Sequence, residues 1–154
     1  MKKILTSGLV ALGLSVAAVA PAVADEGAIK ARKALMQIYA FNLGQLGAMA
    51  KGTMDYDSGA AQAAADNLLA AAKMDQRAMW PAGTDNVAMA GKTGALPEIW
   101  STYPAIAEKG QALADAAAKM AEVAGTDLDG VRSAIGGVGG SCGGCHKVYR
   151  ASNN

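Results

Sequence analysis

The only histidine of this chain, His146, directly follows Cys142-Gly143-Gly144-Cys145, eight residues from the C-terminus. Almost nothing comes after it, so whatever group the motif holds must be enclosed by chain that comes earlier. The spacing is restrictive. Two thiols three positions apart can meet the two vinyl groups of a haem, and an adjacent imidazole can reach its iron. The motif therefore supplies every group that covalent attachment of haem c requires. A thioredoxin-like pair calls for a strand–helix context. Structural zinc needs four ligands, and the chain holds two cysteines and one histidine. A plain disulfide leaves His146 without a role. With one histidine, ligation of the iron by two imidazoles of the same chain is impossible, so the sixth position falls to a methionine or stays empty.

The opening residues read as an address. Lys2 and Lys3 form a short basic start, Ile4 to Ala20 is apolar, and Ala22-Val23-Ala24 is a small-residue cleavage pattern before Asp25. This is the layout of a secretory signal peptide over residues 1–24, in preference to a membrane anchor, with one mature domain over residues 25–154. Export to the periplasm, with no membrane span after cleavage, is the expectation. The whole chain carries a net charge of +1. Losing Lys2 and Lys3 leaves 12 − 13 = −1. Such a near-neutral balance is no footprint for nucleic acid.

The mature sequence reads as all-helical. From Ala28 to Lys51, Ile29, Arg32, Leu35, Met36, Tyr39, Leu43, Leu46 and Ala50 recur at spacings of three and four, which places them on one helix face. A second helix starts at Asp57 or Ser58 and reaches about Ala78, and Trp80 to Leu96 is a long loop. A third helix runs from Pro97 to about Ala124. Pro104 either bends it or separates "PEIW" from a main helix capped near Ser101. A capping box of Thr126 with Asp129 opens a fourth helix. Its six glycines between Gly136 and Gly144 weaken it, and they suit close approach of a flat object or a second helix. Four amphipathic helices with short links predict an antiparallel four-helix bundle.

Two side chains in this pattern point to a ligand. Arg32 on an apolar stripe is costly to bury alone, and a haem propionate would compensate it. Met36 lies one turn later on the same face, so both can look into the bundle. Thr93 and Gly94 in the long loop can hold a propionate through hydroxyl and backbone groups. No paired carboxylates, Ser-His-Asp set or phosphate loop is present, so the chain does not read as an enzyme.

"RKALM", "NLGQLGAMAKG", "WPAGT", "LPEIW" and "GGSCGGCHKVYR" together resemble the class II cytochromes c, the cytochrome c′ family and its low-spin relatives. The resemblance spans nearly all of the mature chain. It implies a left-handed four-helix bundle with haem between the helices, periplasmic electron transfer with other redox proteins, and often a homodimer. It also implies that Arg32 contacts the haem, as does Arg150, which at four residues after His146 is expected on the same helical face; Lys33 stands where many relatives have Gln. In low-spin members the position matching Met36 is a methionine bound to iron, and in cytochrome c′ proper it is an apolar non-ligand. The expected function is thus electron carriage by a His146/Met36 haem c. The alternative is a five-coordinate protein that binds NO or CO.

Mass spectrometry of the exported protein should find a chain starting near Asp25 with one haem linked through Cys142 and Cys145. Free thiols or a disulfide, in a host that matures cytochromes c, would overturn the assignment.

Overall fold

The computed structural model describes residues 22–152, with side chains from Asp25. The expected signal segment, residues 1–24, lies outside the fully described residues. Four long helices carry the fold: α1 (Ala22–Lys51), α2 (Ser58–Ala72), α4 (Ala105–Val123) and α5 (Leu128–Tyr149). One-turn α3 (Glu98–Ser101) and a 3-10 turn over Arg77–Met79 lie in the long α2–α4 connection. Each long helix packs on two others, in the cyclic order α1, α2, α4, α5. That is a four-helix bundle, as the periodicity predicts.

The buried face of α1 is Ile29, Arg32, Leu35, Tyr39, Asn42, Leu46 and Met49. Leu43 and Ala50, expected on this face, are only partly buried, and Asn42 and Met49 lie deeper. Asn42 is tolerated there because its amide donates to the Ile38 carbonyl at 2.8 Å. Facing it, α2 buries Ala61, Ala64, Ala65, Leu68 and Ala71, small side chains that let the helix axes approach. The Tyr39 hydroxyl donates to the Ala71 carbonyl at 3.0 Å and ties the two helices.

Helix ends follow local chemistry. Gly52, at φ +72, takes the left-handed position after α1, and the Thr53 amide reaches back to the Ala48 carbonyl at 3.0 Å. Asp57 caps α2 by accepting from the Ala60 amide at 2.7 Å. Three expectations need correction. Helix α2 stops at Ala72, short of Ala78. "PEIW" contributes to a separate turn, one of the two expected arrangements, but the main third helix starts at Ala105 rather than near Ser101, after Pro104, which lacks the N–H to continue a helix. The Thr126–Asp129 box does not form. Asp127 caps α5 through the Gly130 amide at 2.7 Å, and Asp129 pairs with Arg132 at 3.3 Å.

At the end of the bundle away from the long connection, the Tyr56 hydroxyl donates to Ala124 and the Gln62 amide to Ala121, both at 2.9 Å. Among the described residues no helix is long and apolar enough to cross a membrane.

Gly130 is required by contact. A Cβ there would lie 2.8 Å from the Val123 carbonyl oxygen. Gly130→Ala should cost about 1–3 kcal/mol. Gly47→Ala, whose new methyl group would meet nothing within 4 Å inside α1, should stabilise by up to about 1 kcal/mol. Thermal denaturation of the two variants checks the contrast, and equal shifts would contradict it.

Candidate haem site

Helix α5 stays continuous through all six glycines to Tyr149. Cys142, Cys145 and His146, at spacings of three and four, therefore share one side of it. Both cysteines are free and partly buried, and burial pushes both thiols up from their usual range. Cys142 lies close enough to α1 for a thiolate charge to be felt at the Tyr39 phenol. The His146 imidazole reaches solvent. Its remaining burial, and then the charge of Arg150, hold its pKa below the ordinary 6.5, so it is neutral near pH 7 with a lone pair to donate. It lines an open cleft of about 350 Å³ with Gly143, Lys147, Arg150, Ala151 and Ser152, two cations and no carboxylate.

The glycines have a spatial consequence. A Cβ placed at Gly136, Gly139, Gly140, Gly143 or Gly144 would meet nothing within 4 Å. Only Gly137 faces another helix, with Ala116 of α4 at 4.0 Å. Gly136, Gly139, Gly140 and Gly143 are exposed, so the side of α5 that they occupy is open to solvent; the close helix contact that these glycines also allowed is confined to Gly137.

Arg32 is 3% exposed, and among the described residues no carboxylate bonds to it. One guanidinium nitrogen donates to the Thr84 hydroxyl at 2.6 Å and to the Met79 carbonyl at 3.4 Å. The other donates to the Thr84 carbonyl and to the Thr93 hydroxyl at 3.0 Å. Its carbon stands 5.0 Å from the ring centre of Trp80 and 6.0 Å from that of Trp100, within cation–π range. Desolvation lowers the Arg32 pKa, and the more distant Asp85 opposes the shift. The guanidinium stays charged because an arginine starts from so high a value.

The same loop fastens to α5. The Thr93 hydroxyl also accepts the Ala95 amide at 3.1 Å. Ala95 forms an antiparallel bridge with Arg150, flanked by Leu96 N–H to Tyr149 O at 3.0 Å and Ala151 N–H to Gly94 O at 2.8 Å. Arg150 is thus extended backbone just past the helix, instead of one more turn on the face of His146. Exposed Lys33 donates to the Lys92 carbonyl at 3.2 Å, and Lys92 pairs with Glu26 at 3.3 Å.

Of the residues expected to serve the site, Arg32, Lys33, Thr93, Gly94 and Arg150 are gathered around one loop, and Cys142, Cys145 and His146 lie on the adjoining end of α5. Met36 is partly buried on α1 against the core. Thr84 was not foreseen, although it is fully buried beneath Arg32. Its only mark in the sequence is its place in "WPAGT". Trp80 and Trp100 are the aromatic walls around that cation. The donor set fits haem c: two reduced thiols and a neutral imidazole on one side of α5.

Comparison with known proteins agrees. The family model described as Cytochrome C′ matches residues 27–150. Cytochrome c-554 of Cereibacter sphaeroides is 41% identical over 125 residues, 81% of each chain. The solved cytochrome c′ from Rhodobacter sphaeroides superposes with a TM-score of 0.81 at 35% identity, covering 84% of this chain and 98% of its own. A nitric oxide complex of a cytochrome c prime variant from Alcaligenes xylosoxidans gives 0.73 at 32% identity, covering 84% and 97%. The cysteine and histidine chemistry, the bundle and these likenesses together place the chain in the cytochrome c′ family, with one covalent haem c per chain.

Proposed function

We propose that this protein is an exported, periplasmic haem protein that takes up a small diatomic gas, NO or CO, on the iron face opposite His146. Support comes chiefly from the solved relative that holds nitric oxide, which matches 84% of this chain. Haem supplies an iron centre that binds such gases and changes oxidation state by one electron. The chain does the rest. Cys142 and Cys145 would hold the haem through their thiols, and the neutral His146 imidazole has a lone pair to offer its iron. Met36, partly buried on α1 against the core, would restrict entry of the gas.

The acid groups of the haem find donors in the loop. Both acceptor positions of the Thr93 hydroxyl are taken, by Arg32 and the Ala95 amide. Its own proton is therefore left to donate, and a propionate can only accept. The Gly94 carbonyl is engaged by Ala151, which leaves Gly94 its amide. Arg32, Lys33 and Arg150 supply positive charge nearby. With its one histidine on iron, the chain lacks a general base of that type, and binding rather than catalysis is its role. A homodimer joined through the exposed Ile38 and Phe41 of α1 belongs to the same reading.

The second reading is electron carriage to other periplasmic redox proteins, with Met36 as sixth ligand. It is favoured by a thioether on α1 one turn after Arg32, and by the 41% identity to a cytochrome c-554. Such ligation fills both axial positions and raises the potential relative to two imidazoles.

Spectra and CO binding of wild type and Met36→Leu separate the two. The substitution is near-isosteric and should cost less than about 1.5 kcal/mol. A gas binder is high-spin and five-coordinate, takes up CO readily, and keeps its spin state in the variant. A wild type that is low-spin in both oxidation states, and becomes high-spin only on Met36→Leu, would move the function to the carrier.

A further inference from the structure

We infer that the Arg32–Thr84–Thr93 cluster is a brace that sets the spacing between α1 and the His146 end of α5, with Thr84 its positioning residue. The inference rests on the haem reading above, but not on which ligand takes the sixth position. Elsewhere helix packing fixes inter-helix distances. Around the cysteines packing contributes less, because Cys142 and Cys145 are only partly buried and Gly139, Gly140 and Gly143 are exposed and carry no side chain. A line of hydrogen bonds joined by short backbone links spans this region as well. It runs from Arg32 to the Thr93 hydroxyl at 3.0 Å and from there to the Ala95 amide at 3.1 Å. It continues through the two backbone bonds that flank the Ala95–Arg150 bridge, Leu96 N–H to Tyr149 O and Ala151 N–H to Gly94 O, to Arg150, whose amide donates to the His146 carbonyl at 3.2 Å.

Thr84 anchors the α1 end of this line. It is fully buried, its hydroxyl accepts from Arg32 at 2.6 Å and donates to the Pro81 carbonyl at 2.8 Å, and its own carbonyl takes a second Arg32 N–H. Hydrogen bonds hold such distances within a few tenths of an ångström, whereas apolar contacts slide. Thr84 therefore acts on the site without touching the cofactor, by fixing how far Met36 on α1 stands from His146 on α5.

The test compares holoprotein carrying Thr84→Val with Thr84→Ser, which keeps the hydroxyl. Amide exchange at Leu96 and Ala151, the two amides that pair the loop with the end of α5, should quicken at least about tenfold in the valine variant, as expected for one lost hydrogen bond to a charged group. CO association after flash photolysis should quicken several-fold, and serine should restore both. Unchanged exchange at the bridge overturns the brace. So does quickened exchange with unaltered CO association, or a serine variant that behaves like valine. If the valine variant yields no holoprotein, Thr93→Val cuts the same line at its more accessible link and carries the same expectations. The spin state of the wild type decides the sixth ligand separately, so failure of the brace and failure of the gas-binding reading are distinct results.

Discussion

A guanidinium buried without a carboxylate dictates the shape of the functional end of this bundle. Removing a charge from water costs several kcal/mol unless other groups replace the hydration. For Arg32 those groups come from the segment between Met79 and Trp100: two carbonyls, two hydroxyls and two indole rings. Collecting them around one point on α1 leaves the segment little freedom. A stretch that would otherwise be a long, loosely held connection becomes a fixed wall. Trp100 reinforces it, with its indole N–H on the Trp80 carbonyl at 3.0 Å.

Helix α5 shows the converse economy. Each helical glycine is up to about 1 kcal/mol less favourable than alanine, so a run of six is a considerable burden. The Asp127 cap and the buried face of the helix, with Val131, Val138 and Tyr149, offset it. Cys142 stands four residues after Val138 and Cys145 four before Tyr149, so the thiols lie along that same face. The glycine side, with Gly136, Gly139, Gly140 and Gly143 exposed, is given to solvent at the expense of helix propensity, while the core side remains packed.

Wall and helix meet at Arg150. Its amide ends α5 on the His146 carbonyl, its backbone pairs with the loop at Ala95, and its charge is felt at the imidazole. Three roles fall on one residue because the helix stops there. A further helical turn would have carried Arg150 away from the loop and left His146 attached to the bundle through α5 alone.

Local pattern was enough for much of this. The i, i+3, i+4 spacing of Cys142, Cys145 and His146 fixed their common side on any helix, and the single histidine limited the iron chemistry. The three-and-four recurrence along α1 fixed which face is buried, with Arg32 on it. These are properties of a covalent chain with a regular twist, and they need no partner. What Arg32 meets was not legible, because Thr84 is 52 positions away and a threonine in a loop looks the same whether buried or solvated. Nor could spacing choose between Thr126 and Asp127 as a cap, or show Arg150 leaving the helix, since each outcome depends on which distant backbone group competes for the same hydrogen bond. The sequence by itself determined the helices and the reactive groups they carry. Only the tertiary structure decided how the long loop joins α1 to α5, because that junction is made of long-range polar contacts whose partners no local period encodes.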